Sequence, residues 1–320
     1  MNVFDAIYNN DYQAVKEYLE AGNVNIINEK GSSLIHLAIL MEDSKIFDLL
    51  LENYININIK DNEGNTPAHL CVSTNKIGFL KTLIRKNCDL TIKNNNGETP
   101  LYVSCRLGIT DIVYLICETY KFNILENNNK NESIFFALVK SRNKDLLKMV
   151  NIDSKIVNEK NIFGDTPLHY AARSGDKELV VYLISKGAFI NVKNNMGETP
   201  IFNAILSENY ETIELLIKNG AILDIRNSFG ELLTDTILKK DILTFVEEKK
   251  FKYKLDNYKK NYPLQYYIAI GDINNVKRYL NKRYILKTDN FGYTPIDYIE
   301  YSKDDCIKKL IIKFKKSLAR

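Results

Sequence analysis

The chain has 320 residues, of which 45% are hydrophobic and 26% charged, and its formal net charge is +4. This composition is typical of a folded globular protein and excludes a disordered or collagen-like chain. No apolar stretch approaches the ~18 residues of a membrane-spanning helix and the first residues lack a secretion signal, so we expect a cytoplasmic protein, although export into a host cell is also compatible with the sequence.

A terminal unit is predicted at residues 1–27, where apolar side chains mark one face of each of two short helices flanked by charged residues. Beyond it, a glycine recurs at steps of mostly 33 residues and opens a similar segment each time. This regularity is the pattern of a repeat protein. The clearest copies are Gly31-Ser-Ser-Leu-Ile-His, Gly64-Asn-Thr-Pro-Ala-His, Gly97-Glu-Thr-Pro-Leu-Tyr, Gly164-Asp-Thr-Pro-Leu-His, Gly197-Glu-Thr-Pro-Ile-Phe and Gly292-Tyr-Thr-Pro-Ile-Asp.

The copy at residues 163–192 shows the physical logic of the repeat. Gly164 suits a tight turn because it tolerates a positive φ, Thr166 offers an N-cap hydroxyl, and Pro167 fits the first helical position. A short helix, a longer amphipathic helix ending at Gly187 and a polar extended hairpin are predicted to follow. The positions predicted to hold this structure in four copies are Gly64, Thr66, Pro67, His69, Gly97, Thr99, Pro100, Gly164, Thr166, Pro167, His169, Gly197, Thr199 and Pro200.

The sequence Gly-x-Thr-Pro-Leu-His, a short helix, a longer Leu/Val helix and Gly-Ala-x-Ile-Asn together resemble the ankyrin repeat. The resemblance covers essentially the whole chain. It implies an all-α fold, an α-α solenoid with short β-hairpin loops, containing about ten repeats in one domain over residues 1–320. The predicted repeats are 1–27 (N-terminal cap), 28–60, 61–93, 94–127, 128–160 (degenerate), 161–193, 194–226, 227–256 (degenerate), 257–288 (degenerate) and 289–320 (C-terminal cap).

The degenerate copies differ where neighbouring helices approach each other. Good copies carry a small residue at this position, such as Ala171, whereas Leu138, Ile237 and Tyr267 occupy it in the degenerate copies. Bulky side chains force neighbouring helices apart or make them repack. Residues 128–160 and 227–288 are therefore predicted to alter the local curvature and to unfold first.

No catalytic chemistry is predicted. His36, His69 and His169 all occupy the same position of the repeat, and the resemblance implies that this side chain ties adjacent turns together. The five cysteines contain no Cys-x-x-Cys pair, which argues against a zinc site or a disulfide framework. No nucleophile, metal or nucleotide motif is present. The sequence therefore predicts a protein that is not an enzyme and has no cofactor and no metal site.

Charge is distributed unevenly along the chain. Residues 249–320 contain 18 Lys and Arg against seven Asp and Glu, a net charge of +11, so the preceding residues carry −7. Such a basic region attracts nucleic acid or acidic lipid, and this is the alternative function that the sequence leaves open. A scaffold without one dominant partner is a further alternative. The abundance of asparagine, isoleucine and lysine resembles proteins encoded by low-GC genomes, of a bacterium or a large virus.

The resemblance implies a protein-protein interaction module, a monomer that binds a protein partner on the concave face formed by hairpin tips and first helices. Apolar residues stand at the later tips, where a turn is normally polar, and exposed apolar side chains are typical interface anchors. The predicted partner-binding residues are Ile162, Phe163, Asp165, Arg173, Met196, Glu198, Leu206, Phe229, Glu231, Lys239, Phe291 and Tyr293.

Overall fold

The computed structural model describes residues 2–289, 292–299 and 304–318. Contacts between Cα atoms divide the chain into two compact parts. The first body comprises residues 1–215 and 224–233, and the second body comprises residues 216–223 and 234–320. The division of the sequence into ten repeats in one domain stays a prediction.

The first body consists of helices joined by turns, and the all-α class predicted from the sequence is confirmed. Most helices form pairs in which a short first helix precedes a longer second helix. The helices are α1 (Val3–Tyr8), α2 (Tyr12–Ala21), α3 (Leu34–Leu40), α4 (Ser44–Glu52), α5 (Pro67–Ser73), α6 (Ile77–Arg85), α7 (Pro100–Leu107), α8 (Thr110–Thr119), α9 (Ile134–Ser141), α10 (Lys144–Lys148), α11 (Ser154–Val157), α12 (Pro167–Arg173), α13 (Lys177–Ser185), α14 (Pro200–Leu206) and α15 (Tyr210–Lys218), the last of which extends beyond this body.

The predicted β-hairpins take the form of tight turns. Among the described residues, β-type pairing is limited to three isolated antiparallel bridges, of which Ile27 with Ser33 is one. The turns are too short to form regular strands, because the chain reverses at a glycine with positive φ and enters the next helix at once. At Thr166 the backbone is still extended, and Pro167 begins α12 at the first helical position.

Second helices supply a regular layer of the core in the first body. The residue that lies 19 positions after the turn glycine is fully buried in four repeats, where it is Leu50, Leu83, Ile116 or Leu183. Fully burying such a side chain contributes roughly 1.5 to 3 kcal/mol to stability. Helix pairs therefore stabilise one another mainly through this apolar layer.

The segment at residues 128–160 departs from this pattern in its second helix. Leu138, the bulky replacement for a small residue, is accommodated in the core at 2% exposure. Helix α10, however, spans only five residues, whereas α8 spans ten and α13 nine. The chain then continues without helix through residues 151–153 to the four-residue α11. This repeat therefore keeps its length but departs from the pattern in its second helix, which is short.

Amide hydrogen exchange is expected to be at least tenfold faster in residues 143–157 than in residues 177–185. Two short helices make few internal hydrogen bonds, so local opening requires little free energy. Exchange measured by mass spectrometry on the intact protein, with α13 as the internal control, tests this. Equal protection of the two segments would contradict the expectation.

The second body contains residues 216–223, which include the end of α15, and then most of a 3-10 helix at Leu233–Thr236. Its described residues continue through five α-helices. Its core contains Leu264, Ile268, Val276 and Ile307, all fully buried. The helices are α16 (Lys240–Asn261), α17 (Pro263–Ile270), α18 (Ile273–Tyr279), α19 (Lys282–Ile285) and α20 (Asp305–Leu318), with a further 3-10 helix at Asp297–Ile299 between the last two.

Helix α16 crosses the repeat boundary placed at residue 256. Its 22 residues contain neither glycine nor proline and are rich in lysine and glutamate, which favour helix. Upstream, the Thr-Pro pair that starts a first helix is missing after Gly230. A 3-10 helix occupies the place of the short first helix there. In this region the helix-stop signals of the repeat are absent, so the helix continues.

Candidate partner-binding surface

Hydrogen bonds between neighbouring turns fix the backbone of the tips in the first body. The amide of Ile162 donates to the carbonyl of Lys130 at 2.9 Å, that of Asn195 donates to Phe163 at 2.9 Å, and that of Ser228 donates to Met196 at 2.8 Å. The Asn195 side-chain amide also donates to the Ile162 carbonyl at 2.9 Å. Successive tips are therefore linked to one another through the backbone rather than standing as independent loops.

An asparagine or aspartate three residues before the turn glycine, or before Asn131 in the repeat that lacks this glycine, holds the tip in shape. In one example, the Asn161 Oδ1 accepts from the amides of Phe163 at 2.9 Å and Asp165 at 3.0 Å. These bonds satisfy donors that a turn leaves unpaired. The residues with the same pair of bonds are Asn28, Asp61, Asn94, Asn128, Asn161, Asn194 and Asn227. This role was not predicted from the sequence, although the constant spacing to the glycine was a usable signal.

The turn glycines are required for two reasons. Gly164 and Gly197 both have φ of +75°, a region that disfavours residues with a Cβ. A Cβ at Gly164 would lie 2.7 Å from the backbone nitrogen of Asn195, and one at Gly197 would lie 2.6 Å from that of Ser228. The glycine therefore permits the close approach on which the linkage between tips depends.

Large apolar side chains project from these fixed tips. The exposed fraction is 53% for Ile162, 55% for Phe163, 49% for Met196 and 71% for Phe229. Leu206, at the end of the first helix α14, is 66% exposed. Each of these side chains retains about half or more of its surface for contact with another molecule.

Charged residues beside the tips are partly engaged within the chain. Asp165 pairs with Arg173 at 3.4 Å and accepts from the Asn194 amide at 2.8 Å. The Arg173 Nη2 also donates to the Asn203 Oδ1 at 2.9 Å, but half of the Arg173 side chain remains exposed. Glu98 with Arg106 and Glu132 with Lys140 form the same pair in the two preceding repeats, at 3.4 and 2.6 Å. The ion pair is thus a repeated feature that holds the end of the first helix against the tip.

The histidines connect adjacent turns. The Thr66 amide donates to His69 Nδ1 at 3.1 Å, which leaves the proton on Nε2, and Nε2 donates to the Glu98 carbonyl at 2.9 Å. His169 makes the same contacts with Thr166 and Glu198, at 3.1 Å each. Burial lowers the pKa of both imidazoles, which favours this neutral form.

Comparison with known families decides the class of these repeats. The family described as ankyrin repeats, in three copies, matches residues 3–94 and 139–227, which is more than half of the chain. The chain belongs to the ankyrin repeat family. The comparison with curated proteins found no significant match to the sequence.

Two solved structures are similar to this chain in fold. The human ASB11 ankyrin repeat domain is similar with a TM-score of 0.57 at 20% identity, over 68% of this chain and 98% of that domain. The second structure is the Bd0816 predatory endopeptidase from Bdellovibrio bacteriovorus in complex with immunity protein Bd3460. One of its chains is similar with a TM-score of 0.50 at 25% identity, over 59% of this chain and 99% of that chain. Ankyrin repeats generally mediate protein-protein interaction and are typically not enzymes.

Only some of the predicted partner-binding residues lie in the first body. Lys239 and Tyr293 belong to the second body, where Lys239 is the exposed N-cap residue of α16. Tyr293 is exposed and its ring contacts that of Tyr298 edge-on, at 6.3 Å between centroids. Phe291 lies outside the described residues.

Basic side chains in the second body lie over aromatic rings. Lys259 Nζ is 5.4 Å from the centre of the Tyr266 ring, and Lys287 Nζ is 5.0 Å from that of Tyr262. Both lysines are exposed. These contacts orient cationic groups on the surface of the region that the sequence identifies as basic.

Within residues 2–289, 292–299 and 304–318, no three His, Cys, Asp or Glu side chains gather where they could hold a metal ion. No helix in those ranges is both long and apolar enough to cross a membrane.

Proposed function

We propose that this ankyrin repeat protein binds a protein partner through a tip surface in its first body. The tip surface consists of the apolar side chains Ile162, Phe163, Met196, Leu206 and Phe229, together with Asp165, Arg173, Glu198 and Glu231. The observation that carries the proposal is the exposure of large apolar side chains on three successive tips whose backbone is fixed by hydrogen bonds.

Fixed tips favour binding because the partner does not have to order them. Immobilising a loop or a flexible side chain on association costs about 0.5 to 1.5 kcal/mol for each side chain, and the backbone linkage removes the loop contribution. Phe163 and Phe229 are suited to be anchors, since aromatic side chains lose little conformational freedom and bury a large area.

Charge indicates the chemistry of the partner. Asp165 is buried and paired with Arg173, so the carboxylates that the tip surface offers to a partner are those of Glu198, which is partly exposed, and Glu231, which is exposed. A partner with an apolar patch bordered by lysine or arginine is complementary to this arrangement. The similarity to a chain in the Bd0816–Bd3460 complex, which joins an endopeptidase to an immunity protein, supports a protein rather than a small molecule as the partner.

Replacing Phe163 and Phe229 together with alanine is expected to weaken partner binding at least about 30-fold, the effect of losing roughly 2 kcal/mol of anchor contacts. The partner is first captured by the intact protein, and the affinities of the variants are then measured by calorimetry. Phe189→Ala is the matched control, because Phe189 is 60% exposed but lies outside the tip surface.

Two outcomes would contradict the proposal that the tip surface binds the partner. Equal affinity of the double variant and the Phe189→Ala control would remove the tip surface as the binding site. Binding that depends on salt and is lost when Lys259 and Lys287 become glutamate would instead favour the alternative, an anionic ligand on the basic second body.

A further inference from the structure

A core position of the first body is incompletely filled at residues 128–160. In four other repeats of the first body, and at Leu216 in the repeat after them, the residue 19 positions after the turn glycine is fully buried, whereas the equivalent residue here is Val150. Val150 follows the end of α10, outside the helix, and is only half-buried. The short second helix therefore fails to supply the apolar layer that its neighbours complete.

A cavity of about 210 Å³ lies at this place. It is bordered by α7, α8, α9 and α10 and by the chain that follows α8 and α10. The side chains that line it are aliphatic, aromatic or sulfur-containing, and they include Cys117, Leu138 and Val150. Phe122 and Met149 also line it and are 36% and 42% exposed, so the cavity has a mouth at the surface.

We infer that this cavity is a binding site for a small, uncharged apolar molecule such as a bicyclic aromatic. An apolar cavity of ~150 Å³ in another protein takes up benzene, and a cavity of about 210 Å³ has room for a second fused ring. The site is separate from the tip surface in residues and in chemistry, and it goes beyond the protein-binding function proposed above.

The sulfur groups of the cavity do not make it an anion or metal site. Burial raises the pKa of Cys117 to about 11, and burial also raises that of Cys105, with the neighbouring Cys117 adding to the effect, to about 12. Both side chains are therefore neutral thiols at physiological pH and act as small apolar groups. An uncharged ligand without hydrogen-bond donors matches such a lining, since a buried polar group would remain unpaired.

N-Methylindole is the probe of choice, because it is a compact bicyclic fluorophore without a hydrogen-bond donor. The chain contains no tryptophan, so excitation at the long-wavelength edge of indole absorption, beyond the band of the 20 tyrosines, selects the probe. In a titration with the wild-type protein, the emission of N-methylindole is expected to shift to shorter wavelength, and this shift is expected to saturate. Cys117→Leu, which places extra carbons inside the cavity, is expected to weaken binding at least tenfold, and Val150→Phe is expected to do the same from the mouth side.

Cys88→Leu is the matched control, because Cys88 is likewise half-buried but does not line this cavity. It is expected to bind N-methylindole as the wild type does. Circular dichroism establishes that each variant is folded. The inference is overturned if the wild type shows no saturable change up to the solubility limit of the probe, or if folded Cys117→Leu and Val150→Phe variants bind as well as Cys88→Leu.

Discussion

Replacing Lys140 with alanine is expected to destabilise the folded protein by about 3 to 5 kcal/mol. Lys140 Nζ lies 2.6 Å from Glu132 Oε2, and the Glu132 side chain is only 4% exposed. Without the ammonium group, a buried carboxylate loses its charge partner. The Lys140 side chain also packs its charge over the rings of Phe136 and Tyr170, at 5.4 and 5.5 Å, and these contacts are lost as well.

The pKa of Glu132 depends strongly on this lysine. Burial alone raises the pKa of Glu132, but the bond from Lys140, the charge of Lys140 and bonds from Asn128 and Asn161 outweigh burial and lower it overall. Asn128 and Asn161 donate at 3.2 and 3.3 Å. These amides remain in the Lys140→Ala variant but supply no compensating charge.

Urea denaturation of Lys140→Ala and of Lys148→Ala separates a buried pair from an exposed one. Lys148 pairs with Asp145 at 3.2 Å, but both side chains are more than 70% exposed, so its loss is expected to change stability by less than about 1 kcal/mol. In a double-mutant cycle, Glu132→Gln combined with Lys140→Met is expected to destabilise less than the two single changes added together. Additive effects, or equal effects of Lys140→Ala and Lys148→Ala, would show that the buried pair has no special role.

The repeat itself was predictable because its signals are local. Thr166 and Pro167 determine a helix start through their own backbone and hydrogen-bonding preferences, and Gly164 determines a turn through its positive φ. The family and the all-α class followed from this short pattern. The helix bounds in its best copies followed for the same reason.

Features that depend on contacts between repeats were not predictable in this way. The abundant asparagines were interpreted only as a property of the genome, whereas Asn161 and Asn194 organise the tips and connect one repeat to the next. The length of α10 was also missed, because no glycine or proline follows Lys148 and the helix ends without a strong local signal. The hydrogen bond from Arg173 to Asn203 likewise appears only once neighbouring repeats are packed.

The stability of the protein is expected to fall as the pH falls from about 6.5 to 5. Burial lowers the pKa of His36, His69 and His169, so the folded protein keeps them neutral where the unfolded chain binds protons. Each proton bound only by the unfolded chain reduces stability by about 1.4 kcal/mol per pH unit. Glu159 acts in the opposite direction, because burial raises its pKa to about 7 and the folded protein binds a proton there. Because three histidines are opposed by one glutamate, the free energy of unfolding is expected to fall by up to about 2 to 3 kcal/mol for each unit by which the pH falls.

A glutamine at the histidine position of another repeat suggests a substitution that tests whether the histidines cause this pH dependence. Gln265 occupies the histidine position in the second body, and its Nε2 donates to the Lys287 carbonyl at 2.6 Å. His69→Gln with His169→Gln therefore preserves a donor toward the next turn but removes two titrating groups. Urea denaturation at pH 5.0, 5.75 and 6.5 is expected to show a steep slope for the wild type and little or no loss of stability toward low pH for the double variant. Because Glu159 is unchanged in both proteins, an undiminished slope in the variant would mean that groups other than these histidines govern the acid sensitivity.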